Sequence, residues 1–204
     1  MAEHYFTAGP TSDEARADFE FAYRGRTFRF TSAAGVFARR GVDRGSRLLL
    51  DALPLPLAGR LLDLGCGYGV LGIVATALSP GVDLTMVDIN ARAVALAAHN
   101  AEQNGVGARV LRSDGFAALA GERFEAIVCN PPIRAGNQVV DALLAGGAAH
   151  LAAGGRLYFV AQTKQGGRST AELAARAYRD VREVEKGGGF RVYCALGDGA
   201  RADA

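Results

Sequence analysis

The stretch Leu61-Leu62-Asp63-Leu64-Gly65-Cys66-Gly67-Tyr68-Gly69-Val70-Leu71-Gly72-Ile73 constrains what this chain can fold into more than any other. It reads as an apolar strand carrying one acid, a glycine-rich turn, and the start of a buried helix over Val70-Leu71-Gly72-Ile73-Val74-Ala75. Glycines at alternate positions let the backbone turn tightly and approach a ligand closely. The helix that follows presents unpaired N–H donors at its start. A turn of this kind is built to hold a ligand.

Two ligand classes use such a turn. Gly67, Gly69 and Gly72 satisfy the G-x-G-x-x-G spacing of a dinucleotide site. Asp63, two residues before Gly65, argues against that reading, because its carboxylate would repel a pyrophosphate brought close to it. S-adenosylmethionine has no phosphate there and carries a cationic amino group and a sulfonium, so an acid at the strand end favours it. The simpler alternative is that Asp63 only caps the helix.

A chain of 204 residues, half of them apolar and 22% charged, has the size and composition of one globular domain. Its net charge of +2 is unevenly spread. Arg24, Arg26, Arg29, Arg39, Arg40, Arg44 and Arg47 face the single acid Asp43 between positions 24 and 47, which reads as a basic patch. Cys66, Cys129 and Cys194 are odd in number and far apart, which speaks against disulfides and zinc. His4, His99 and His150 have no spacing for a metal or a catalytic pair, so no metal is expected. The N-terminus lacks a signal-peptide pattern, and no run approaches the ~18 apolar residues of a membrane span. A cytoplasmic monomer is the expectation.

Residues 1 to about 59 read as an N-terminal extension. In it Phe19, Phe21 and Tyr23 alternate with polar residues, Arg24-Gly25-Arg26 turns, and Phe28 and Phe30 alternate again, predicting a hairpin. A helix is predicted from near Ser46 to the prolines at Leu53-Pro54-Leu55-Pro56. From 60 to 196, strands alternate with helices, the pattern of a parallel sheet covered on both faces. The predicted strands are Leu61–Leu64, Leu84–Val87, Ala108–Leu111, Phe124–Cys129 and Arg156–Val160. The predicted helices are Asn90 to Asn104 with Asn90 as N-cap and Gly105 as stop, Val139 to Leu151, and about Thr170 to Tyr178. Val181–Glu185 and Phe190–Leu196 are separated only by Gly187-Gly188-Gly189, too little for a crossover, so they must pair antiparallel. The expected fold is α/β: a Rossmann-like, mostly parallel sheet with one antiparallel C-terminal strand, behind an N-terminal hairpin and helix. Positions 197–204 read as a tail.

Ligands of an open parallel sheet sit outside the carboxyl ends of its strands. Those ends carry Asp63 and Gly65, then Asp88, then Asp114, then Asn130-Pro131-Pro132-Ile133. Asp88 lies ~20 residues past the glycine turn, where a carboxylate reaches ribose hydroxyls; a helix-cap role is its alternative. Asp114 is placed to accept from an adenine amino group, or is a turn residue of Ser113-Asp114-Gly115. Ile89 and Phe116 are expected to flank the adenine. The side-chain oxygen of Asn130 and the carbonyl of Pro131 can together accept two N–H bonds from a planar amine and turn its lone pair towards a methyl donor. Prolines keep that loop rigid. No strong base is needed before attack.

With these motifs the sequence resembles class I S-adenosylmethionine-dependent methyltransferases, and more closely the small-domain group containing the small-subunit ribosomal RNA guanine-N2 methyltransferases. His4-Tyr5-Phe6, Gly35-Val36-Phe37, Asp43-Arg44-Gly45-Ser46 and Leu48-Leu49-Leu50 look like that group's N-terminal signature. Asp63-Leu64-Gly65-Cys66-Gly67 looks like its cofactor motif, Asn130-Pro131-Pro132 its catalytic motif and Gly189-Phe190-Arg191-Val192-Tyr193 its closing strand. The resemblance implies that Ser46, Asp63, Gly65, Cys66, Gly67, Gly69, Asp88, Ile89, Asp114, Gly115 and Phe116 form the cofactor site. It implies that Asn130, Pro131, Pro132 and Ile133 are catalytic, that Phe37, Arg39 and Arg134 bind substrate, and that Phe37 to Ser46 closes over the site.

Two features depart from the group. Its fuller members carry an additional N-terminal recognition domain, and they often have an aromatic residue, able to stack on a base, where this chain has Ile133. The arginine patch, with Arg134, Lys164 and Arg168, favours RNA as the partner, most simply ribosomal RNA, although scattered arginines also make an ordinary solvated face. Other readings stay open: methylation of adenine N6 or of a protein glutamine amide, a non-catalytic S-adenosylmethionine-binding module, and a nicotinamide oxidoreductase.

Overall fold

The computed structural model describes residues 15–38, 41–132, 136–165 and 167–197. Its first element is the expected hairpin, β1 (Arg16–Tyr23) paired antiparallel with β2 (Arg26–Ala33), with Phe19 opposite Phe30 and Phe21 opposite Phe28. Arg24 and Gly25 both take positive φ (45° and 76°), the conformation of a two-residue turn whose twist matches the strands. The aromatic face turns inward: Phe19 and Phe30 both meet the ring of Tyr68, at centroid distances of 5.8 and 5.6 Å. The hairpin is therefore packed onto the glycine-rich loop itself.

The main sheet holds β3 (Arg60–Leu64), β4 (Asp83–Asp88), β5 (Ala108–Arg112), β6 (Phe124–Cys129), β7 (Leu151–Gln162), β8 (Asp180–Gly187) and β9 (Phe190–Leu196) in the order β5-β4-β3-β6-β7-β9-β8. Only β9 runs against its neighbours. Helices α1 (Arg44–Ala52), α2 (Val70–Ala77) and α3 (Ala91–Gln103) cover one face with the hairpin; α4 (Asn137–Gly147) and α5 (Gly167–Ala174) cover the other. Alternate strand residues sort to the two layers, as the period of two requires: Ala126, Val128, Tyr158 and Val160 pack on the α1–α3 side, and Ile127, Cys129, Leu157 and Phe159 on the α4–α5 side. The predicted α/β fold is the observed one.

The differences lie at element ends. Helix α1 starts at Arg44 rather than near Ser46 because the Asp43 side chain accepts from the Gly45 and Ser46 amides. Strand β7 starts at Leu151, not Arg156. Its pairing with β6 slips from Phe124 opposite Leu151 to Ala126 opposite Arg156, across a bulge at Gly154-Gly155. A Cβ on Gly155 would lie 2.9 Å from the Phe124 and Ala152 carbonyls, so the bulge needs glycine there. Helix α4 begins and ends earlier than predicted and passes into a 3-10 turn, Ala148–His150. Helix α5 covers Gly167–Ala174 rather than Thr170 to Tyr178.

One side chain joins hairpin, helix and loop. Asn100 of α3, fully buried, accepts from Thr31 N (2.8 Å) and donates to Thr31 O (2.9 Å) and Tyr68 O (2.8 Å). One turn on, Asn104 makes the same pair of bonds with Arg29. Two asparagines four residues apart thus stand in for the missing neighbour strand of β2. Asn100→Ala leaves three backbone groups without partners, and we expect it to lower the unfolding free energy by about 3 kcal/mol, read by chemical denaturation.

Candidate active site

The strand register brings the predicted residues to one level. Val87, Leu64, Cys129 and Phe159 are register neighbours on four adjacent parallel strands, so Asp88, Gly65 and Asn130 leave the sheet side by side. Two interstrand spacings, about 10 Å, separate the chain at Asp88 from that at Asn130. The glycine turn occupies the middle. Both Gly65 N and Cys66 N donate to Val87 O (2.9 Å each), and Gly69, in the left-handed region at φ 91°, starts α2.

Asp63 lies one residue before the end of β3 and faces the α1–α3 layer, 1% exposed. Its Oδ2 accepts from Gly72 N (2.8 Å), so it does cap α2; its Oδ1 is buried with no partner. Burial, reinforced by Asp88, pushes its pKa up to about 7, and the Gly72 amide only partly offsets this. Asp88 accepts from Gly67 N (2.8 Å) through Oδ2 and Asn90 N (2.9 Å) through Oδ1, and burial raises its pKa also. None of the ion pairs among the described residues reaches either acid. Two acids without a cationic side-chain partner among the described residues favour a positively charged ligand.

Gly65 and Gly67 (φ 70° and 56°) have nothing within 4 Å of where a Cβ would stand. Positive φ favours glycine there, and the empty space beside both gives a ligand room to approach the backbone. An unpartnered carboxylate oxygen, an unfilled glycine cradle and a second acid across from it fit S-adenosylmethionine, whose ammonium and ribose need such acceptors. Cys66 is buried, and burial followed by the two acids raises its thiol well above the ordinary range. It contributes backbone, not a thiolate.

Asn130 follows β6, with Pro131 buried and Pro132 half-buried after it. Its Nδ2 donates to Ser46 Oγ (2.9 Å) and approaches Asp43 Oδ1 (3.4 Å), both at the start of α1. Ser46, assigned above to the cofactor, is thus placed against the amide of Asn130. Asp43, read from the sequence as the lone acid of a basic stretch and as part of the Asp43-Arg44-Gly45-Ser46 signature, was given no contact with Asn130, and the structure supplies one. Its signal was an acid two residues before a glycine at a helix start.

Asp114 is exposed, and the side-chain bonds of its turn are made by Ser113, through Gly115 O and Ala118 N. Ile89, half-buried, follows Asp88 directly, and its carbonyl accepts from Arg112. Phe116, expected beside an adenine, stacks on His150 at 4.4 Å and lies against Gly146 of α4. The two glycines of α4 leave room for the ring there. Phe37 is 39% exposed, just before the segment leading to Asp43. Arg39, Ile133 and Arg134 lie outside the described residues.

Arg24, Arg26, Arg29 and Arg47 lie on or against the hairpin, and Arg40, like Arg39, is outside the described residues. Arg26 donates to Ala77 O at the end of α2, on the far side of the sheet from the strand ends; Arg24, Arg26 and Arg47 sit over Tyr23, Phe28 and Phe21, and Arg29 pairs with Glu20. Nearer the site, a shallow cavity of about 250 Å³ is lined by Thr163, Lys186, Phe190, Arg191 and the glycines of the β8–β9 turn. The Phe190 ring in it reaches Gly45 of α1. No helix is long and apolar enough to cross a membrane among the described residues.

Comparison with known proteins agrees with this geometry. A protein of Bacillus subtilis named "Uncharacterized protein YbxB" is 40% identical over 195 residues, covering 94% of this chain and 97% of its own. The "Ribosomal RNA small subunit methyltransferase C" of Serratia proteamaculans is 34% identical over 83% of this chain, which spans 49% of that protein. Among solved structures, the Thermus thermophilus 16S rRNA N2 methyltransferase RsmC, in complex with AdoMet and guanosine, superposes with a TM-score of 0.81 at 28% identity. The match covers 92% of this chain and 52% of that one. The chain therefore spans about half the length of the ribosomal RNA methyltransferases it matches. The family description "Methyltransferase small domain" matches residues 27–194. With that match across most of its length, the chain belongs to the methyltransferase small domain family, the class I methyltransferases that use S-adenosylmethionine.

Proposed function

We propose that this methyltransferase acts on the exocyclic N2 of guanine in ribosomal RNA. The observation that carries the reading is the amide of Asn130: its nitrogen is engaged by Ser46 and Asp43, which leaves its oxygen to accept, beside a cradle suited to a cationic methyl donor. An acceptor oxygen selects a substrate that donates N–H, and an exocyclic amine does so. Support for RNA comes from the two rRNA methyltransferase relatives and from Lys186 and Phe190 in the neighbouring cavity, where a cation and a ring suit a nucleic acid strand.

When bound, S-adenosylmethionine supplies an electrophilic methyl group on a sulfonium. Asp63 Oδ1 would hold its ammonium, Gly65 and Gly67 its closely approaching chain, and Asp88 its ribose hydroxyls. Asn130 Oδ1 and the Pro131 carbonyl accept the two amine protons and hold the nitrogen with its lone pair exposed. Pro131 and Pro132 keep both acceptors in place, so little reorganisation accompanies the reaction. The amine nitrogen takes the methyl as the carbon–sulfur bond breaks, and the methylated, now cationic, nitrogen then gives a proton to solvent water, so no basic residue has to act first.

The test is direct. The protein is incubated with methyl-labelled S-adenosylmethionine and ribosomal RNA or small subunits from a strain lacking it, and the labelled nucleosides are separated. N2-methylguanosine is the expected product. Label on adenine N6, or on glutamine of a co-purified protein, would overturn the guanine assignment.

A further inference from the structure

The amide of Asn130 could present either end to a substrate, and the two ends have opposite meanings. Asp43 decides between them. Its Oδ1 already serves two backbone N–H donors as an acceptor, so the end of the amide 3.4 Å from it is the nitrogen, and Ser46 Oγ at 2.9 Å accepts from the same nitrogen. Asp43 is held in turn: the same Oδ1 accepts from Gly45 N (2.9 Å) and Ser46 N (3.0 Å), which fixes the carboxylate to the first turn of α1. Ser46 is 3% exposed, so water does not compete for its oxygen. Gly45 between them is closed in by Phe190, 3.1 Å from where a Cβ would stand, so α1 is set against β9.

We propose that Ser46, seconded by Asp43, is a positioning residue of the reaction: it pins Asn130 Nδ2 to the start of α1 so that Oδ1 alone faces the target amine. Ser46 acts through Asn130 and does not hold the cofactor. The inference rests on the reading of Asn130 as the acceptor of the target amine. It adds that the N-terminal extension, through α1, sets the polarity of a group on the far end of β6. The sequence run Asp43-Arg44-Gly45-Ser46 then has a physical meaning: an acceptor already serving two backbone N–H donors, a glycine under an aromatic ring, and a second acceptor one residue on.

Ser46→Ala removes one oxygen and nothing else. In the full chain, the side-chain amide signal of Asn130 in a nitrogen–proton correlation spectrum is identified by its loss in Asn130→Asp. In the parent protein its two protons exchange slowly with water; in Ser46→Ala we expect exchange about tenfold faster or more, the loss of a hydrogen bond worth about 1.4 kcal/mol. An unchanged amide signal would overturn the proposal, whatever the substrate. In methyl transfer to the RNA identified above, kcat of Ser46→Ala falls about tenfold while KM for RNA, the Kd for S-adenosylmethionine and the melting temperature stay near the parent values. A raised Kd for S-adenosylmethionine with kcat intact would instead return Ser46 to the cofactor site and refute positioning. No transfer by the parent protein to any RNA would refute the functional reading, a result distinct from either of these.

Discussion

Asn130→Ala lowers kcat by about a thousandfold while the affinity for S-adenosylmethionine, measured by calorimetry, stays within about twofold of the parent. The size follows from what the residue supplies. One preorganised hydrogen-bonding group aimed at the reacting atoms is worth about a hundred- to a thousandfold in rate, and losing the amide also frees the nitrogen to turn its lone pair away from the donor. In the proposed site the cofactor lies at a different part of the row, at Asp63, the glycines and Asp88, so its affinity should not change. The Pro131 carbonyl remains and accounts for the residual rate. Full turnover by Asn130→Ala would exclude the mechanism.

The second large effect belongs to Asp63. Its pKa of about 7 in the ligand-free chain, against an ordinary 3.8, arises first from burial. Because the folded chain holds this proton more tightly than the unfolded one, stability contributed through Asp63 is greatest below about pH 4. It is lost as the pH rises from there to about 7, by on the order of 4 kcal/mol in total. Above pH 7 the buried charge is fully present and uncompensated until a cation arrives. S-adenosylmethionine therefore binds best to ionised Asp63 and displaces its proton, so its affinity weakens as the pH falls below about 7.

Asp63→Asn keeps the oxygen that accepts from Gly72 N and removes the charge. We expect three changes together: affinity for S-adenosylmethionine down about 10- to 100-fold at pH 8, since a hydrogen bond to a charged group is worth about 1.5–3 kcal/mol; a binding curve flatter in pH; and a ligand-free protein more stable at pH 8 than the parent. A variant that binds as tightly as the parent at pH 8 would reduce Asp63 to a helix cap.

Most of the sheet was legible from the residues because its strands are buried on both faces and bounded by turn signals; Phe124–Cys129 coincides with β6 residue for residue. Strand ends and helix starts were less so. The bulge at Gly154-Gly155 lengthens β7 through the close approach of the Phe124 carbonyl, a long-range contact that local pattern does not contain. The site divided in the same way. Asp63, Gly65, Asp88 and Asn130 follow strands whose order is implied by the fold, so sequence places them in one row. Asp43 and Ser46 sit 84 or more residues from Asn130, and only folding brings them to it. The packing of Phe116 against two glycines of α4 was equally out of reach of local pattern.

The two asparagines of α3 that grip β2 have a thermodynamic corollary. Since Asn100 bonds Thr31 and the carbonyl of Tyr68 at once, a ligand that stiffens the glycine bend must also stiffen the hairpin, and by reciprocity whatever steadies the hairpin raises affinity at the bend. Backbone amides of β1 and β2 should then exchange more slowly when the donor is bound.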